Sequence, residues 1–220
     1  MIRYILPPIH PSGWVFIFLF FTLTVLSFLL WIPLGLGFLL LFVWCLYFFR
    51  DPRRIIDDND REIVAPADGL VIGVSKILFP PKLLTQKPFE ECIKISIFMS
   101  VFNVHVNRIP TTGEVIALKY HSGQFLNASF DKASDANERQ AIWVKRNDGQ
   151  DIVFVQVAGL VARRIVCRLK PGQKVIKGAK FGIIKFGSRL DIYLPLGVKI
   201  KILKGQTAVG GETVLAAVNE

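Results

Sequence analysis

The 220-residue sequence predicts a mainly β fold that follows an N-terminal hydrophobic helical hairpin. Three observations predict it. From Gly13 to Phe49 there is no charged residue, and the run is dense in Phe, Leu, Trp, Val and Ile. Beyond residue 90, short stretches alternate apolar and polar side chains with a period of two, as half-buried strands do. Gly, Pro, Asn and Asp separate these stretches at short intervals, which punctuates strands rather than long helices.

The hairpin comes first. A helix of about 20 apolar residues crosses the hydrocarbon core of a bilayer, and the uncharged run is longer than one crossing. In its middle, Ile32-Pro33-Leu34-Gly35-Leu36-Gly37 is a cluster of helix breakers. The expected elements are helices over about 13–31 and 37–49, with residues 1–12 ahead of them. The second is short for a full span, so a re-entrant or shallow hairpin stands as the alternative. Arg3 precedes the run, Arg50, Arg53 and Arg54 follow it, and the turn carries no charge. Positive-inside bias places both ends on the cytoplasmic side of a cell membrane. A cleaved signal peptide fits poorly, because the run is long and no small-residue cleavage site precedes Arg50.

Residues 50–220 then read as one β-rich domain. Strands are expected at Cys92–Ser100, Gly113–Tyr120, Ala141–Arg146, Ile152–Val157, Ile183–Lys185, Leu190–Leu194 and Val198–Leu203. Ser122–Arg139 is polar and reads as a long loop, a kind of segment that is commonly functional. The formal net charge is +10, and all of it except Arg3 lies in this domain. A basic domain beside a bilayer is drawn to anionic headgroups. Nucleic acid is the competing partner for a basic chain, but the anchor and the scattered Lys and Arg argue against it. Three cysteines without paired spacing give neither a disulfide framework nor, with three histidines, a zinc site.

Two segments form a pair: Ile63-Val64-Ala65-Pro66-Ala67-Asp68-Gly69-Leu70-Val71 and Pro171-Gly172-Gln173-Lys174-Val175-Ile176-Lys177-Gly178. The pattern resembles biotinyl/lipoyl-type barrel-sandwich domains, in which two such signatures come from quasi-repeated halves. The modified-lysine hairpin of a carrier domain is not in the sequence, so only the fold is implied.

The chemistry gathers around Lys185-Phe186-Gly187-Ser188-Arg189. A serine after a glycine can attack the preceding carbonyl with little steric hindrance, since glycine has no Cβ. Alone, the dipeptide is ordinary turn chemistry. It is accompanied, however, by Asp68 in Ala-Pro-Ala-Asp-Gly, by His105 in Phe102-Asn103-Val104-His105-Val106-Asn107-Arg108, by Phe125-Leu126-Asn127-Ala128 with Asn137-Glu138-Arg139, and by Ala158-Gly159-Leu160-Val161-Ala162-Arg163-Arg164. Taken singly, Asp68 reads as a turn residue, His105 as a half-buried core histidine, and the arginine pair as solvated or lipid-facing.

Together these motifs resemble the phosphatidylserine decarboxylase family, in its short, membrane-anchored bacterial branch. The resemblance implies a proenzyme that cuts itself between Gly187 and Ser188. Residues 1–187 become the β chain, and residues 188–220 an α chain that stays associated and begins with a pyruvoyl group made from Ser188. That ketone forms a Schiff base with phosphatidylserine, and the products are phosphatidylethanolamine and CO₂. No metal or diffusible cofactor is implied. Serine needs a base, and histidine titrates near neutrality, so His105 is the expected base, Asp68 its orienter and Ser188 the nucleophile. Asn107, Arg108 and Arg189 are expected substrate contacts, and His121 is a candidate second histidine. In another branch a second histidine follows the first by three residues; here that place is Arg108, so a division of labour between two histidines does not carry over. The competing class is a non-catalytic, membrane-anchored lipid-binding or adaptor module. The oligomeric state is left open, a homo-oligomer included.

Overall fold

Two units make up the chain, Met1–Arg53 and Arg54–Glu220. The computed structural model describes residues 7–128, 136–159, 164–185 and 188–218. In the first unit a 3-10 turn, Pro11–Gly13, leads into α1 (Trp14–Leu30), and α2 (Ile32–Phe48) returns beside it. The break falls on Trp31 alone, extended at φ −164° and ψ 123°. The turn expected over Ile32–Gly37 is therefore corrected: those residues are helical. Pro33 lies in the first turn of α2, where a missing N–H forfeits no hydrogen bond. Gly35 is buried because a Cβ there would collide with the Phe28 ring of α1, so it serves close helix approach rather than a break. Entry and exit meet: the Asp51 N–H donates to Pro8 C=O at 2.7 Å and the His10 N–H to Phe49 C=O at 2.8 Å.

Apolar side chains cover the outside of both helices, with Val15 75%, Leu29 79% and Leu30 81% exposed, so neither helix has a polar face to offer water. Pro11–Leu30 is 20 residues long and apolar enough to cross a membrane. The 17 residues of α2 rise about 25 Å, a few ångströms less than a typical hydrocarbon core.

The second unit is mainly β, as the alternating stretches predict. In chain order the strands are β1 (Glu62–Val64), β2 (Gly69–Leu78), β3 (Glu91–Met99), β4 (Val106–Arg108), β5 (Gly113–His121), β6 (Arg139–Lys145) and β7 (Asp151–Ala158). There follow β8 (Ile165–Cys167), β9 (Lys174–Val175), β10 (Lys180–Ile184), β11 (Ser188–Leu194), β12 (Val198–Ile200), β13 (Thr207–Ala208) and β14 (Val214–Val218). The main sheet is curled, with strand order β13-β2-β3-β11-β7-β6-β5-β9. Two small sheets, β1-β14-β12 and β4-β10-β8, accompany it. Alternation sorts the side chains into two cores. Ile95, Ile97, Met99, Phe154, Ala158, Leu190 and Ile192 share the inner one, while Val153, Val155, Val157 and Tyr193 pack on the other face with Phe79, Leu83 and Leu84.

The two paired signatures belong to a duplication with a different partnering from the one expected. Residues 63–71 have their counterpart in 107–115, and residues 170–178 in 203–211. Val71 N–H donates to Gln206 C=O and Val115 N–H to Gln173 C=O, both at 2.9 Å. Gly211 N–H reaches Ala65 C=O at 2.7 Å and Gly178 N–H reaches Ile109 C=O at 2.8 Å. The halves interlock where Arg108 N–H meets Pro66 C=O (2.8 Å) and Val64 N–H meets Pro110 C=O (2.9 Å). Gly178 and Gly211 hold φ of 77° and 86°, a left-handed backbone that favours glycine, which is why glycine recurs there.

Candidate active site

Ser188 opens β11, the strand that lies between β3 and β7, and faces Met99 on one side and Ala158 on the other. Residues directly opposite in antiparallel ladders share a face, so Ser188 points to the inner core with Met99, Ala158 and Leu190. It is fully buried, and its Oγ has no hydrogen-bond partner among the described residues. A buried hydroxyl left unpaired costs about 1–3 kcal/mol, so such a group calls for an explanation. Gly187 lies outside the described residues.

His105 immediately precedes β4. The Ile184 N–H donates to its carbonyl at 3.4 Å, which extends the β4–β10 ladder and sets His105 level with Ile184, whose side chain is in the inner core. The strand that holds His105 is thus paired with the strand that leads into Ser188. The imidazole is fully buried, and its Nδ1 lies 2.9 Å from the Asn103 carbonyl. A carbonyl only accepts, so Nδ1 carries a proton, and in the neutral ring the lone pair is then on Nε2. Asn103 is itself pinned: its Oδ1 accepts from both the Ser100 N–H and the Ser100 hydroxyl, each at 2.8 Å.

A polar pair completes the inner layer. Gln156 lies two positions from Ala158 on the same face of β7, opposite Leu190. Its Nε2 donates to Asn107 Oδ1 at 2.8 Å, and Asn107 Nδ2 lies 3.7 Å from the Met99 sulfur. Both amides are fully buried, and Gln156 Oε1 has no hydrogen-bond partner among the described residues. Met99 joins this pair to Ser188, because it faces Ser188 across the ladder. The arrangement offers a nucleophile, a base with a fixed tautomer, and amides suited to orienting a small polar group.

A family model described as phosphatidylserine decarboxylase matches residues 41–216. The chain is 49% identical over 211 residues to a phosphatidylserine decarboxylase proenzyme of Ruegeria pomeroyi, covering 96% of this chain and 95% of that one. A proenzyme of the same name from Cereibacter sphaeroides is 50% identical over 216 residues, with 98% and 92% covered. One from Rickettsia felis is 49% identical over 212 residues, with 94% and 89% covered. The chain belongs to the phosphatidylserine decarboxylase family.

The remaining residues that the family resemblance singles out are placed less centrally. Asp68 stands at the same end of the sheet as Ser188, but two strands away, about 10 Å at the usual strand spacing. Its Oδ2 is 2.6 Å from Arg54 Nη2, and its Oδ1 accepts the Gly210 N–H at 2.7 Å. In the duplicate half, Thr112 Oγ1 accepts the Lys177 N–H at 3.2 Å, so Asp68 occupies a turn-fastening position. The group at His105 Nδ1 is Asn103.

Arg189 follows Ser188 in sequence, and strand alternation turns it to the opposite face. It is fully buried there, with Nε 3.0 Å from Asp191 Oδ1 and Nη2 3.2 Å from Oδ2. Its Nη1 donates to the Ala128 carbonyl at 3.1 Å, which ties Ala128 to the sheet. Arg108 is buried, and its Nη1 donates to Gly178 C=O at 3.0 Å. His121 also lies on the far face, with Nε2 2.9 Å from Leu83 O; burial, the largest effect, holds its imidazole below the usual range. Asn107 is the expected substrate contact that shares the Ser188 face.

Sequence reasoning gave no role to Asn103, Gln156 or Asn137. Gln156 had a legible signal, as the one amide in the otherwise apolar row Ile152, Phe154, Gln156, Ala158. Asn137 is fully buried and donates to the Ala158 carbonyl (2.7 Å) and the Leu126 carbonyl (2.8 Å), which fastens Leu126 to β7 beside the site; residues 129–135 of the expected Ser122–Arg139 loop lie outside the described residues.

Proposed function

We propose that the chain is a self-processing phosphatidylserine decarboxylase. It cuts itself between Gly187 and Ser188, converts Ser188 into a pyruvoyl group, and turns phosphatidylserine into phosphatidylethanolamine and CO₂. The observation that carries this reading is the buried Ser188 hydroxyl, unpaired among the described residues, in a chain whose near full-length relatives bear that proenzyme name. The residues present fit a pyruvoyl group. Met99, Ala158 and Leu190 give apolar walls for a small ketone, and Gln156 and Asn107 offer buried amides in the same layer.

His105 Nε2 takes the proton from Ser188 Oγ, and the oxygen bonds to the Gly187 carbonyl carbon. The Gly187–Ser188 C–N bond breaks, and the nitrogen leaves with the proton that His105 carried. Loss of the Ser188 α-proton then breaks the Cβ–Oγ bond and frees Gly187 as a carboxylate. Water replaces the nitrogen, ammonia departs, and the ketone remains. That group supplies a carbonyl that condenses with an amine and withdraws electrons as the neighbouring carboxylate leaves. His105, fixed by Asn103, holds the proton that the product carbon requires. Gln156 and Asn107 orient the serine headgroup. Asp68, paired with Arg54, fastens the turn at Gly210 at the same end of the sheet.

The small chain has a structural reason to stay. Residues 188–194 would be its first strand, and β11 is central to the main sheet, hydrogen-bonded on both edges. The hydrophobic hairpin anchors the enzyme in a cell membrane with the basic domain on the cytoplasmic face, where anionic lipid attracts it.

Intact mass and denaturing electrophoresis test the maturation, and CO₂ release from phosphatidylserine micelles tests the activity. The wild type is expected as two chains, the smaller blocked to N-terminal sequencing, and Ser188→Ala as one inactive chain. A single uncut polypeptide that turns over at full rate would refute the assignment.

A further inference from the structure

The same end of the sheet carries a feature that the reaction as described does not use. The β8–β10 ladder continues one step past Ile184↔Ile165, because the Lys185 N–H donates to Arg164 C=O at 3.3 Å. Residues opposed in this way project to one face with Cβ atoms about 4.5–5.5 Å apart. Two cations are therefore held side by side. Ile184 and Ile165 pack in the inner core, so alternation turns Arg164 and Lys185 outward, where Arg164 is exposed and Lys185 is half-buried. Like charges in directly opposed positions destabilise a sheet. The Lys185 ammonium registers this: burial first, and the Arg164 charge second, lower its pKa from the ordinary range. An anion between the two side chains would offset that repulsion.

Position identifies the anion. Lys185 lies three residues before Ser188, a separation of at most about 11 Å of extended chain. The loops that follow Met99 and flank Ala158 at the Ser188 end expose apolar side chains, Phe102 at 62% and Leu126 at 40%, so that end offers both cationic and apolar groups, as a phospholipid head and its glycerol require.

We propose that Arg164 and Lys185 together seat the phosphodiester of the substrate lipid, an inference that rests on the decarboxylase reading. A diester phosphorus is four bonds from the amine that reacts at residue 188, within reach of the rim. The carboxylate of the same headgroup is the poorer candidate. It loses its charge as CO₂ departs, so a cation pair on it would stabilise the ground state more than the transition state. The phosphodiester keeps its charge throughout, and cations there bind both states alike.

The test uses mature full-length enzyme in mixed micelles of phosphatidylserine and neutral detergent. Wild type is compared with Arg164→Gln, Lys185→Gln and Arg164→Lys, after electrophoresis has established that each has split. Arg164→Gln is expected to raise KM about tenfold, the loss of one charge-assisted contact, with kcat within about twofold. Arg164→Lys restores most of the difference. Glycerophosphoserine, a soluble phosphodiester, inhibits the wild type and loses about tenfold in potency on Arg164→Gln, whereas free serine inhibits both equally. An unchanged KM with unchanged glycerophosphoserine inhibition overturns the proposal, as does a fall in kcat alone. If Lys185→Gln stays uncut, Arg164→Gln decides; if that variant also stays uncut, the pair belongs to maturation and the proposal falls. A wild type that releases no CO₂ counts against the decarboxylase reading instead.

Discussion

Replacing Ser188 with alanine should abolish chain cleavage and also stabilise the precursor, an unusual combination. The Oγ is buried without a hydrogen-bond partner among the described residues, and Ser188 faces Met99 and Ala158 in an apolar layer. Removing it takes away one desolvated polar atom and leaves a gap smaller than a methyl group. The cost of a buried, unpaired hydroxyl is about 1–3 kcal/mol, so a gain of about 1–2 kcal/mol is expected after a small packing loss. For a chain of this size that is a rise of about 2–8 °C in the unfolding midpoint. Since the proposed reaction cuts the wild type, the comparison is made in the His105→Ala background, where both proteins are expected to remain intact. Thermal unfolding in detergent, followed by tryptophan fluorescence, gives the difference. A lower midpoint for the alanine variant would mean that Oγ has a partner after all, and the argument from its unpaired state would collapse. Cleavage of His105→Ala at the wild-type rate would remove His105 from maturation.

Asn103→Ala frees Ser100 from its side-chain staple and loosens the carbonyl that fixes His105 Nδ1. Maturation, followed by pulse-chase electrophoresis, is expected to slow about tenfold, the scale of a 1.4 kcal/mol loss in positioning. Arg189→Met takes the 3.0 Å guanidinium partner from the buried Asp191, whose other ion pair is with Lys94 at 3.3 Å, so unfolding should become easier by about 3 kcal/mol, read in urea. A raised KM with unchanged stability would instead return Arg189 to substrate binding. The His121 pKa is lowered in the folded state, mainly by burial, so the unfolded chain takes up a proton first as pH falls. The His121 contribution is fully present above about pH 6.5 and is lost as pH drops below it. The urea midpoint should decline there in the wild type and less in His121→Gln.

The mainly β class and most of the long strands were legible because a half-buried strand writes its faces into alternate residues. Glu91–Met99 does so with Ile93, Ile95 and Ile97 against Lys94 and Ser96. The helix boundary was misread because a breaker acts according to its place: Pro33 in a first turn costs nothing, and Gly35 against Phe28 is a packing device. The duplication was visible in Gly172-Gln173 with Gly178 and in Gly205-Gln206 with Gly211. Those are the positions that geometry constrains. Gln173 and Gln206 side chains accept the Lys170 and Leu203 N–H groups, at 3.1 and 2.7 Å, while the apolar residues between them are free to drift.

The site itself was half legible, and the reason lies in strand geometry. A motif is read along the chain, so the neighbours of Ser188 drew attention, and Arg189 with them. In a strand the adjacent residue is the one certain to point away, and Arg189 faces Asp191 on the far side of β11. The groups that share the Ser188 layer come from other strands: Met99 from β3, Ala158 and Gln156 from β7, Asn107 from β4. None is within 25 positions of Ser188 in sequence. His105 stands out in the sequence through the family motif around it, and its expected orienter was the acid Asp68. The acceptor in place is a backbone carbonyl, which any residue can supply and no sequence can advertise. What marks it is the side chain that holds that carbonyl still. An asparagine two residues before a buried histidine, fastened to a serine three residues earlier, is therefore the pattern to look for.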